Sequence, residues 1–416
     1  MSSLVRIATR TYPPDVGAAP FRLRALARAL VAAGCDVEVV TTAPPRGTAV
    51  PADDPGTRTR RRAVLRDAEG SVRGYLPYLS FDVPLTARLL LGRRPDVVVH
   101  EPPPTTGLAT RIATTLRGTP YVSYVPDVWS QGAVAAGARG PVLAGVRWAE
   151  ATALRGAAAV LAVTAGMAEE VVASGVRADR VHVVGNGVDT DVFVPADPDP
   201  ADPDPADPDP ADPDPAGEGT GTPAARGSGR GLRAVYSGTM SEWQGAEVFV
   251  RAFAALARED PAARLVMVGG GVDVPRLRAL AAEIAPGAVE LPGTVPPEQA
   301  ARLLADADVA LASLAPATGY DLMSPTKIYA ATACGTPLLF AGVGGGRDLV
   351  RDHDLGAAVD HDPAAVTAAL RTWARPSAPR RAVLRAWALT HGSLGAAAGR
   401  AAAVVLAVSG AGGGVR

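Results

Sequence analysis

Ser324-Pro325-Thr326-Lys327-Ile328-Tyr329-Ala330-Ala331-Thr332-Ala333-Cys334-Gly335-Thr336-Pro337 is the stretch from which the architecture follows. Serine is a good helix N-cap, and proline suits the first helical position because its missing N–H would have no partner there anyway. Gly335 is placed to end the helix, and Pro337 opens the next strand. An apolar strand, Asp308 to Leu314, precedes the stretch, and Pro337 to Phe340 follows it as another. This is a short helix whose N-terminus lies at a strand's carboxyl end, where open α/β sheets take their ligands. Its free N–H groups, its dipole and Lys327, read as the third helical residue, together suit a diphosphate.

Composition singles out the same lysine. The chain has forty arginines and one lysine, Lys327. Where arginine replaces lysine at every position that accepts either, the remaining lysine marks a place for a compact point charge rather than a planar fork.

Outward from that helix, the second half keeps one grammar. Val235 to Gly238 is a strand end, Ala246 to Ala257 an amphipathic helix, and Leu265 to Val268 a strand running into Gly269, Gly270 and Gly271. A helix near Pro275 to Ile284 leads to Val289–Leu291 and the turn Pro292-Gly293-Thr294. The residues from about Arg380 to Val408 read as helix. The first half repeats the alternation: strands at Val5–Thr9, Val37–Thr41, Asp96–His100, Tyr121–Val125 and Ala159–Val163, with helices near 21–33, 105–116 and 142–154. Short β-rich runs separated by helices predict right-handed crossovers and parallel sheets.

Between the halves, residues 196–215 are four copies of Ala-Asp-Pro-Asp-Pro, followed by a Gly/Ser/Thr/Pro stretch. Proline at that density excludes helix and sheet, so the tract reads as an extended spacer. Without its eight aspartates the formal net charge of −1 becomes +7, which favours anionic ligands. The divisions are therefore 1–190, a linker over 196–231, 232–378, and a helical segment over 379–416 that packs back on the first domain.

At 416 residues, with 48% hydrophobic and 20% charged, the chain suits two globular domains. Two cysteines, Cys35 and Cys334, give neither a disulfide framework nor a metal knuckle, and point to a reducing, cytoplasmic compartment. No signal peptide and no apolar run of membrane-spanning length is apparent. Nothing reads as a nucleic-acid interface. The cluster Arg58, Arg60, Arg61, Arg62 and Arg66 reads as a solvated loop, with weak peripheral contact to an acidic membrane as the functional reading beside it. His100 and Asp127, each at a strand end, are candidates to hold an acceptor or share its proton.

The run SPTKIYAATACGTP resembles the donor-site helix of family 4 of the GT-B retaining glycosyltransferases. Val183 to Asp189 with Phe193 is similar to that family's segment closing the N-terminal domain, and Tyr12 to Ala19 to its first βαβ unit. Pro95–His100, Pro120–Trp129 and Trp243-Gln244-Gly245 continue the series in order. The resemblance implies the GT-B fold: two Rossmann-like doubly wound domains facing a cleft, the first for the acceptor and the second for the nucleotide-sugar. It implies transfer of a hexose-type sugar from a nucleotide-sugar, a UDP-sugar first, to a hydroxyl, with retention and with neither cofactor nor obligatory metal. By position, Ser324, Pro325, Thr326 and Lys327 would hold the diphosphate, with Gly17 and Gly238 close to it and Gly270 and Gly293 beside the base. His100, Asp127 and Lys327 would be the catalytic set. The family's ribose-binding glutamate falls on Ala330 here, its acidic partner on Leu322 beside Asp321, and its loop lysine on Gln244. Small natural products such as aminocyclitols, polysaccharides and lipid-linked sugars all remain as acceptors. A nucleotide-sugar 2-epimerase and a degenerate binding protein are the other readings.

Overall fold

The computed structural model of the chain describes residues 2–15, 17–66, 72, 74–135, 137–196, 230–318 and 325–411. The Ala-Asp-Pro-Asp-Pro tract, Asp321, Leu322 and Ser324 lie outside them. The chain divides into two compact units, one of residues 1–186 and 394–416 and one of residues 187–393.

The first unit begins β1 (Leu4–Ala8), α1 (Ala18–Ala32), β2 (Asp36–Thr42), β3 (Thr57–Arg62), α2 (Tyr75–Leu91), β4 (Val97–His100) and α3 (Pro104–Arg117). It continues β5 (Tyr121–Val125), α4 (Trp129–Ala135), α5 (Gly140–Gly156), β6 (Ala159–Ala162), α6 (Ala165–Ala173) and β7 (Val181–Val183). All its strands pair in parallel, in the order β3-β2-β1-β4-β5-β6-β7. The central strands are apolar without alternation because helices cover both faces of the sheet, and β1, β4, β5 and β6 are buried throughout.

The second unit runs β8 (Arg233–Ser237), α7 (Glu247–Glu259), β9 (Arg264–Val268), α8 (Val274–Ile284), β10 (Val289–Gly293), α9 (Pro297–Ala305) and β11 (Val309–Leu314). Then come α10 (Thr326–Ala333), β12 (Leu338–Gly342), α11 (Gly345–Asp352), β13 (Gly356–Val359), α12 (Pro363–Arg371) and α13 (Ala378–His391). Its sheet is also parallel, ordered β10-β9-β8-β11-β12-β13. On α7, Phe249, Phe253 and Leu256 point into a core shared with Tyr236, Leu265 and Met267. Each such buried side chain contributes about 1.5–3 kcal/mol. The last helix, α14 (Leu394–Ala411), belongs to the first unit, where Ala401, Ala402 and Val405 join the cluster of Leu23, Leu26 and Leu30.

Three departures from the sequence reading have physical causes. The arginine cluster is not a loop: Thr57–Arg62 is an edge strand, in register from Val37 opposite Thr57 to Thr42 opposite Arg62. Arg60 reaches Glu38 at 3.2 Å, Arg61 donates to the Pro13 carbonyl at 2.6 Å, and Arg66 donates to the Ala43 carbonyl. Charge on an outer strand prevents further pairing, so the pattern suits its place. Helix α2 has no clear apolar period and contains Pro84, which hid it. The C-terminal segment is two helices split at Gly392-Ser393, the first in the second unit and the second in the first.

Candidate donor site

The strand order of the second unit reverses between β8 and β11. Chains leaving these two strands diverge, and the crevice between them is the ligand position of such sheets. Lys327, on the helix that follows β11, extends into this place. Its amine donates to the Tyr236 hydroxyl at 2.6 Å and to the Thr239 carbonyl at 3.3 Å, and it lies 3.9 Å from the Tyr236 ring centroid. Both partners belong to β8 or its exit. Burial lowers the lysine's pKa to about 7, with no carboxylate among the described residues to offset it. An ammonium so placed gains more from an incoming anion than one already paired.

Glycines make room around it. A Cβ on Gly238 would lie 3.2 Å from Lys327 Cε, and its φ of 130° disfavours any other residue. Gly269 accepts no Cβ either, since one would sit 1.9 Å from the Gly238 oxygen. Met240 donates to the Gly270 carbonyl at 2.8 Å, and Gly269 to the Gly293 carbonyl at 2.8 Å. Gly238, Gly270 and Gly293 therefore lie at the carboxyl ends of three adjacent strands, with Gly238 next to Lys327.

Helix α10 begins one residue later than its sequence suggests. Pro325, with φ −62° and ψ 128°, is the cap and makes no side-chain capping bond, so Lys327 is the second helical residue and not the third. Ser324, expected as the cap, lies outside the described residues. The amides of Thr326 and Lys327, in the first turn of the helix, have no intrahelical acceptor among the described residues. Where the family carries its ribose carboxylate, Ala330 is buried in the cluster of Ile328, Cys334 and Phe340. Tyr329 stacks on Trp387, with centroids 5.9 Å apart and planes 5° apart. Gln244 caps its own turn, its side-chain oxygen accepting from the Ser241 amide at 2.8 Å.

In the first unit, His100 is 3% exposed and shares a hydrogen bond of 2.7 Å between Nε2 and Ser123 Oγ. Burial lowers its pKa to about 4, leaving it neutral at pH 7. The expectation that it faces an acceptor is corrected accordingly: the ring is packed inside, against Tyr121 and Gly107. Asp127 follows β5, half-buried, its pKa raised by burial, with Arg22 pulling it down and Glu101 pushing it up. Glu101 was given no role from the sequence, although a carboxylate right after a buried strand end is its own signal. It forms a buried ion pair with Arg22, whose guanidinium lies 5.2 Å from the Tyr124 ring centroid. Also missed were Arg10, 4.0 Å from the Tyr78 ring and 5.9 Å from that of Trp129, and Asp82, which accepts from Thr106 at 2.6 Å. Gly17 is the N-cap of α1. Among the described residues no three His, Cys, Asp or Glu side chains converge as a metal site.

Two family models match the chain in sequence, a glycosyl transferase 4-like domain over residues 17–187 and a glycosyl transferases group 1 domain over residues 231–375. The chain belongs to the GT-B glycosyltransferases. Curated relatives include the alpha-maltose-1-phosphate synthase of Mycolicibacterium smegmatis, 34% identical over 198 residues, 47% of each chain. Another is the D-inositol 3-phosphate glycosyltransferase of Acidothermus cellulolyticus, 30% identical over 208 residues, 47% of this chain and 41% of that one. The matches thus span about half the length of these relatives or less. HepE of Anabaena, solved in complex with UDP, superposes with a TM-score of 0.64 at 14% identity, over 98% of this chain and 100% of that one. Sucrose-phosphate synthase from Thermosynechococcus elongatus gives a TM-score of 0.65 at 19% identity, over 99% and 97%. These likenesses establish the GT-B fold.

Proposed function

We propose that the chain transfers a hexose-type sugar from a UDP-sugar to a hydroxyl acceptor, with retention at the anomeric carbon and without a required metal. The observation that carries the reading is the Lys327 amine at the β8–β11 reversal, which has no carboxylate partner among the described residues and is flanked by Gly238 and the first turn of α10. As the glycosidic bond breaks, the departing diphosphate gains negative charge, and fixed amides with a cation stabilise it most at that moment. UDP as the nucleotide draws support from the HepE complex. Ser324, Pro325 and Thr326 flank the diphosphate, and Gly270 and Gly293 lie towards the base. Gly17, His100 and Asp127 enter the reaction through the family resemblance, His100 now as a neutral group that positions its neighbours. A small natural product such as an aminocyclitol intermediate is the first acceptor class, with polysaccharide and lipid-linked sugars the second.

Calorimetry with UDP, GDP and TDP, then a donor screen with NMR of the product's anomeric centre, tests the proposal. UDP binding and a retained linkage are expected. Lys327→Ala should weaken donor binding and lower kcat by about two orders of magnitude, the usual loss for one transition-state contact. Near-full activity in that variant, or an inverted product, would remove the assignment.

A further inference from the structure

Half of the large hydrophobic side chains that stand exposed among the described residues lie on four consecutive helices of the first unit, α2 to α5. Helix α2 shows why this is more than ordinary surface. Phe81, Leu85 and Leu89 face the sheet, which accounts for one apolar side. Leu76, Leu79 and Val83 lie on the opposite side, at 100° per residue, and are 70%, 49% and 64% exposed. Folding of the unit explains the first set and gives the second no cover. Helix α3 packs beside α2 and adds Ile112 and Leu116, one turn apart, and α5 packs beside α3 and adds Trp148, 64% exposed.

The charge balance on these helices is positive, with Arg88 also close enough to Glu38 of β2 to interact with it. Arg88, Arg111, Arg117, Arg147 and Arg155 are their basic residues, and Asp82 and Glu150 their only acids. Asp82 is buried on Thr106, and both oxygens of Glu150 accept amides at the start of α4, from Trp129 at 2.7 Å and Ser130 at 3.2 Å. Arg117 and Arg155 donate to backbone carbonyls, which orient the guanidinium without neutralising it. The helices α7, α8 and α9 of the second unit serve as an internal contrast. They carry Glu247, Glu259, Glu283 and Glu298 and none of the exposed large hydrophobics.

We propose that the outer face of α2, α3 and α5 docks on an anionic lipid surface. Leucine, valine and isoleucine side chains enter the boundary between headgroups and acyl chains, the Trp148 indole sits at headgroup level, and the arginines meet lipid phosphates. Charge selects this occupant over a second copy of the chain. An isologous pairing would set one arginine-bearing face against another, whereas anionic headgroups complement it. No helix among the described residues is long and apolar enough to cross a membrane, and this mode of attachment requires none. The inference stands apart from the donor site.

The test is cosedimentation of the whole protein with phosphatidylcholine vesicles and with vesicles of phosphatidylcholine and phosphatidylglycerol, together with Trp emission. Binding is expected to the second kind alone, weakening with salt, with a blue shift that Trp148→Phe reduces. The variant Leu79→Ser/Val83→Ser, altered only at exposed positions, should lower the vesicle affinity at least about tenfold with circular dichroism and melting temperature unchanged. Vesicle binding by that variant equal to the parent's would overturn the inference, as would failure of the parent to bind the anionic vesicles. A concentration-dependent dimer that the same variant abolishes would also overturn it, because the face would then belong to a second copy.

Discussion

Lys327 was legible before any coordinates, from its solitude among forty arginines and from the helix it sits on. What the sequence could not show is its partners, Tyr236 and Thr239, about ninety residues earlier in the chain, and hence the lowered pKa. That shift has a sign that can be checked. The free protein's amine loses its proton as pH rises through about 7, and a bound diphosphate favours the protonated form. Affinity for a UDP-sugar, whose diphosphate does not titrate near neutrality, should be greatest below that pH and fall between about pH 7 and 9. Calorimetry across this range should show the fall in the parent and a flat profile in Lys327→Met, with proton uptake on binding only in the parent. His100 teaches the reverse lesson. A strand-end histidine reads as functional, yet β4 is buried along its whole length and holds the ring beside Ser123. Glu101, one residue on, reveals its role only through Arg22, its buried partner from a distant part of the chain.

Elements whose residues follow one period were readable, and those obeying two demands at once were not. The central strands of both sheets lie within a residue or two of their sequence positions because both faces are covered and the apolar runs are unbroken, whereas β7 and β13, short and at most half-buried, give no such run. Strand β3 alternates arginine with threonine at an edge, and α2 is apolar on opposite sides, so neither shows a single inward face. Helix α14 illustrates an alanine-rich element whose worth is entirely in packing. Ala397, Ala398, Ala401, Ala402 and Val405 are buried on the first unit, a cover worth roughly 5 kcal/mol, comparable to the net stability of a domain. Removing residues 394–416 should therefore open the first unit. Limited proteolysis is expected to cut within residues 1–186 and to leave a fragment covering 187–393 that still binds UDP. A parent-like pattern of fragments would show that α14 is dispensable.

At the level of the whole chain, sequence alternation gave two α/β units, and the structure adds how the chain is shared between them. The repeat tract separates the regions matched by the two family models, and its composition supplies length and charge rather than packing. Deleting residues 196–215 should leave kcat within about twofold of the parent, since shortening a connecting segment changes chain entropy only slowly with length. A steady-state assay and a melting curve check this, and a large loss of turnover would make the tract part of the catalytic cycle.

The return of the chain at Leu394 also sets an order of events during synthesis. The first unit is translated first and completed last. Its closing helix leaves the ribosome only after about 200 further residues, some 10–40 s at ordinary elongation speeds. Throughout that interval the flank reserved for α14 is open to solvent, and by its end the second unit has its whole sequence. A nascent chain halted just short of residue 394 would hold a second unit complete in sequence and a first unit still lacking its closing helix.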